Sequence, residues 1–83
     1  MIWRWLHINN KRRDLLKRAS SLLGTASGLV STALEQEEDA LDNMPENLQG
    51  SERYEKIEAA VDLLNDASEC IDSAIEKINE ASL

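Results

Sequence analysis

The sequence predicts an all-α protein: an antiparallel two-helix hairpin, coiled-coil-like, that dimerises into a four-helix bundle. Three observations lead there. Small and apolar residues recur every seven positions along two long stretches. Glycine occurs only at 24, 28 and 50, and β-branched residues are scattered. The single proline, Pro45, falls between the two periodic stretches. A seven-residue recurrence held over several turns is the signature of helices packed at a shallow angle.

The first stretch supports a helix over about residues 10–42. Leu15, Leu22 and Leu29 form one row that ends in Gln36, and Leu16, Leu23 and Val30 form a second. Ala19, Ala26, Ala33 and Ala40 form a third. The second stretch predicts a helix over about 51–81, with Ile57, Leu64, Ile71 and Ile78 in one row and Ala60, Ala67, Ala74 and Ala81 in another. Large residues set against alanines let two helix axes approach closely. At 1.5 Å per residue each helix should run about 45 Å.

Between them lies the corner, 43–50, within "DNMPENLQGSERYE". Asn43 ends the first helix, and Pro45 can neither continue it nor leave Met44 in helical geometry. "PENLQ" fits one short turn with proline first. Met44 and Leu48 are expected to plug the end of the hairpin. Gly50 allows a backbone angle that other residues resist. Ser51 is a good N-cap, and Glu52 and Glu55 complement the positive start of the second helix.

Eighty-three residues make one small domain, marginal as a lone core. One cysteine excludes an internal disulfide, so self-association is the expected source of further burial. Cys70, beside Ile71, reads as a small buried thiol. His7 stands alone, with no partner at ligand spacing. Carboxylates abound, but no Glu-x-x-His pair, zinc motif, phosphate-binding glycine loop or Ser/His/Asp set is present. The expectation is therefore a protein that is not an enzyme and carries no cofactor or metal.

The net charge of −7 is unevenly spread. Residues 1–18 carry six basic side chains against Asp14, a balance of +5, which leaves −12 for residues 19–83. A rod with one basic, aromatic end and one acidic end follows, with Asp72, Glu76 and Glu80 folded back beside the basic cluster. The uncharged run 19–34 is sixteen residues long and rich in Ser, Thr and Gly, short of the roughly 20 apolar residues of a membrane span. A cytoplasmic protein is expected.

Candidate partner-binding residues fall in three places. Trp3 and Trp5, in the Trp/Arg extension 1–9, together with Arg12 and Arg13 form the basic, aromatic end. Their alternatives are docking on the hairpin or a second subunit, insertion at a membrane surface, and stacking on nucleic-acid bases. Gly24 and Gly28 form a G-x-x-x-G, a smooth groove for a bulky side chain or a partner helix, or else a tolerated weak spot. Glu46 and Glu52 mark the acidic tip as an epitope.

"NKRRDLL" at 10–16, the acidic run before the corner, the corner itself and "AAVDLLNDASECIDSAIEKINEA" together resemble a recurrent group of small acidic helical-hairpin proteins. These are encoded by phages, prophages and conjugative elements of gut bacteria. The resemblance covers about residues 10–83, and the corner is its specific part. The group has no established activity, so the resemblance implies a setting, the cytoplasm of a bacterial host, rather than a mechanism. Its members begin near the "NKRR" position, which makes Met1–Asn9 look like an addition. "SSLLGTASGLVSTAL" departs from the group's usual Glu/Leu-rich first helix.

Three functions are compatible with these features. The first is a non-enzymatic interaction or structural accessory protein of a phage or mobile element, working through itself and an unidentified protein partner. The second is an anti-defence inhibitor whose acidic helices mimic nucleic acid. The third is a peripheral membrane-surface protein acting through residues 1–18. Direct nucleic-acid binding is disfavoured by the charge, and membrane contact is the weakest of the three.

Overall fold

A computed structural model describes the backbone of residues 2–82 and the side chains of residues 10–82. Helix α1 spans Ile2–Asp42, a single 3-10 turn spans Glu46–Leu48, and helix α2 spans Glu52–Ala81. The two helices pack together as a hairpin, and no strand occurs among the described residues. The result is a rod of 71 × 15 × 14 Å.

α1 starts at Ile2, so the segment set apart as an extension continues the first helix without a break. No glycine or proline interrupts "IWRWLHINN", and nothing else in the local sequence ends a helix there. Trp3, Trp5 and His7 lie on this first part, and their side chains fall outside the described residues.

Which residues face inward follows a strict pattern. Let each seven-residue repeat be lettered a to g, starting at Leu16 in α1 and Ile57 in α2. Position a holds Leu16, Leu23, Val30 and Glu37 in α1, and Ile57, Leu64, Ile71 and Ile78 in α2. All are half-buried. Position d holds the alanine rows, half-buried except for Ala40 and Ala81 at the ends. Position e completes the stripe with Ser20, Ser27, Leu34 and Leu41 in α1, and Val61, Ser68, Ile75 and Ser82 in α2. Three positions in seven give an apolar stripe about 100° wide, the face one helix can cover on another.

Ser20 Oγ donates to Asn79 Oδ1 at 3.1 Å across the seam and fixes the level of one helix against the other. At that level Leu23 falls beside Ile75, Ser27 beside Ile71, Val30 beside Ser68, and Leu41 beside Ile57. Some levels set a large side chain beside a serine and others set two large side chains together, with the alanine rows alongside. Glu37 is the one acid of the stripe, level with Val61. Ser82 is level with Leu16, so Ile2–Leu15 run past α2 by about 20 Å. Asp72 and Glu76 accordingly sit beside the uncharged part of α1. Of the three acids expected to fold back on the basic cluster, only Glu80 comes near it.

The corner forms as its residues dictate. Asn43 caps α1 twice on the Asp39 carbonyl, through its backbone N–H at 3.0 Å and its side-chain amide at 2.8 Å. Pro45, at φ −58°, opens the short turn, which closes with Leu48 N–H donating to the Pro45 carbonyl at 2.9 Å. Gly50 takes φ +87°, the one positive φ among the described residues. Ser51 Oγ accepts from Tyr54 N–H at 3.2 Å as the α2 N-cap. Met44 is half-buried and fills the end of the seam. Leu48 is 45% exposed and does not plug it. Leu48 lies in the short turn Glu46–Leu48 between the helices.

Replacing Gly50 by alanine puts a Cβ into a left-handed backbone conformation, at a cost of about 1–2 kcal/mol. Urea denaturation of Gly50→Ala should show a lower midpoint with an unchanged slope. An unchanged midpoint would mean the corner accommodates the side chain by shifting.

Candidate functional site

Two long helices without a cleft offer surfaces rather than a pocket. Among the described residues three exposed leucines form a row. Position g of α1 holds Leu15, Leu22 and Leu29, which are 55%, 72% and 69% exposed, before ending in Gln36. The same position in α2 holds Lys56, Leu63, Cys70 and Lys77, all exposed, with Leu63 at 68%. Because the helices run in opposite directions, equivalent flanks lie on the same side of the hairpin. One broad side therefore carries both g rows with the two alanine rows between them. The other carries the e and b positions, where Ser20 meets Asn79.

The first side is a shallow alanine-lined groove, edged by leucines on α1 and by Lys56, Leu63, Cys70 and Lys77 on α2. A concavity on its α2 flank is lined by Glu69, Cys70, Ser73, Ala74 and Lys77. It exists because Ser73 and Ala74 are too small to fill the space between the longer side chains. Cys70, expected to be buried, is exposed here. It precedes Ile71 by one residue, and the rotation of about 100° per residue carries it off the inward stripe.

The residues singled out from sequence are spread along the rod. Arg12 is exposed, and Arg13 is half-buried and engaged in an interaction of its own. Gly24 and Gly28 lie outside the seam, and a Cβ built on either meets nothing within 4 Å. No bulky side chain among the described residues fills their groove. Thr25 and Thr32 turn their hydroxyls back on the Ser21 and Gly28 carbonyls, at 3.3 and 3.1 Å. Glu46 and Glu52 are exposed at the tip. Glu52 pairs with Lys56 at 3.3 Å one turn on, a solvated pair that adds little to stability. The acids lie on outer faces, apart from Glu37. No group of three or more His, Cys, Asp or Glu that could hold a metal is found among the described residues. No helix there is long and apolar enough to cross a membrane.

Comparison with protein families, curated proteins and solved structures finds no match. The surfaces themselves are what bears on function. The sequence displayed the row Leu15, Leu22, Leu29 openly. What it lacked was the side that row would take, because the row beside it has the same period.

Helical glycine costs about 1 kcal/mol against alanine, and both sites are open. Gly24→Ala and Gly28→Ala should each raise the thermal midpoint by several degrees in a circular-dichroism melt. A fall in the midpoint would show that something lies in that groove in solution.

Proposed function

We propose that the protein is a non-enzymatic interaction or structural accessory protein, and that its first partner is a second copy of itself in a dimeric four-helix bundle. One observation carries this reading. No described residue is fully buried, while five large apolar side chains stand exposed, three of them in a single row. Isolated exposed leucines are ordinary, but a contiguous row beside an alanine-lined groove marks a contact surface. The resemblance described above supplies the setting of a phage or mobile element in a bacterial cytoplasm. A further protein partner would engage the surfaces that assembly leaves free, with Trp3 and Trp5, Gly24 and Gly28, and the tip at Glu46 and Glu52 as the candidates.

Light scattering after size exclusion should give twice the 9.3 kDa chain mass. Burial of apolar surface is not screened by salt, so the mass should hold at low and high ionic strength. A single-chain mass under all conditions would end the assembly reading and leave the leucine row as a site for another protein.

A second reading rests on the corner end, where Glu38, Asp39, Asp42, Glu46, Glu55 and Glu58 are all exposed. Such a surface suits a protein that occupies the basic groove of a nucleic-acid-binding host factor. Its binding to such a factor should weaken steeply as salt rises. Binding that ignores salt would count against mimicry.

A further inference from the structure

Resting on the assembly proposed above, we infer that two copies stack antiparallel through the groove side of the hairpin, α1 on the partner's α1 and α2 on the partner's α2. The dyad passes between Thr25 and Ala26 of α1 and close to Ser73 of α2.

Three independent features select this arrangement. The first is the apolar row. With the dyad at that level, Leu22 meets the partner's Leu29, Leu29 meets the partner's Leu22, and Leu15 meets the partner's Gln36. Leu63 of α2 falls level with the partner's Leu15. The parallel alternative, with the dyad along the rod, sets α1 on the partner's α2. It would place Leu22 against the partner's Lys77 and leave the leucine rows unmatched.

The second feature is charge. The basic end of α1, residues 11–18, comes against the partner's acidic end, residues 35–42, with Lys11 and Arg12 level with the partner's Asp39. The parallel arrangement brings both acidic corners together, which like charges oppose. The antiparallel one does bring Asp66 level with the partner's Glu80. Both lie at the rim, where Lys77 stands beside them.

The third feature is length. Ile2–Leu15 of α1 have no residue of α2 level with them in the hairpin. In the antiparallel stack they lie against residues 36–49 of the partner, the last turns of its α1 and its corner. The overhang of each copy thus ends flush with the tip of the other. The concavity lined by Cys70, Ser73, Ala74 and Lys77 falls at the dyad on α2, where the two backbones come closest and small residues are needed.

The test uses the full chain. In Leu22→Glu/Leu29→Glu both changes are to exposed positions, so the hairpin should keep its helical circular-dichroism signal while the mass falls from two chains to one. Direction is read separately with a spin label on Gln49→Cys in a Cys70→Ser background. Antiparallel copies separate the two labels by about 70 Å along the rod. Parallel copies put them side by side at the shared tip. A dimer that survives the double substitution, or labels found close together, would overturn the stacking proposed here while leaving self-association standing. A wild-type chain that is monomeric would overturn both.

Discussion

Two helices share one line of contact, and the rest of this molecule is organised around that limit. Each helix can shield a stripe of about three positions in seven, and the residues on that stripe are covered from one side only. The seam is therefore built for closeness rather than depth. Alanine at d brings the backbones together, and at a and e serines relieve the crowding at several levels, Ser27 beside Ile71 and Ser68 beside Val30 among them. Ser20 and Asn79 close one edge of the seam with a hydrogen bond. No described residue reaches full burial. Helices in proteins draw most of their stability from packing of an apolar face, so the seam also sustains the helicity itself.

Charge is arranged along the rod rather than across the seam. α1 has no acid in its first turn and no base in its last, so its end charges work against its own dipole. α2 begins with Glu52 and Glu55, which work with it. The fold relieves little of the mismatch in α1, because α2 stops short of the basic cluster. A helix whose charges suit neither its dipole nor its neighbour in the hairpin is one whose ends suit an oppositely directed copy of itself.

Much of this was legible in the residues. The seven-residue rows gave two helices, and proline, glycine and serine gave the corner in the order the backbone uses them. Position on the rows was harder to read. A seven-residue period says that a row exists but not which of two neighbouring rows turns inward. Leu15 and Leu16 are both leucine, as are Leu22 and Leu23, so hydropathy could not choose between them. The structure chooses the row that brings the alanines to the seam. The same one-residue step explains Cys70, exposed beside the inward Ile71. The start of α1 is not marked in the residues: tryptophan and arginine make 1–9 unusual but do nothing to stop a helix, and α1 begins at Ile2.

Those adjacent leucines have a consequence for the helix as a rotor. α1 presents doublets at Leu15/Leu16, Leu22/Leu23 and Leu29/Val30, so a roll of about 100° about its axis would still offer α2 a row of leucines. Oiliness therefore does not fix the rotational setting of α1. Size and polarity of the neighbouring row do: the roll would bring Arg18, Thr25, Thr32 and Asp39 to the places where Ala19, Ala26, Ala33 and Ala40 now allow the backbones to meet. The angle at which this helix rests is set by the atoms its alanines lack. Enlarging those alanines would remove the discrimination between two orientations before it removed the attraction between the helices.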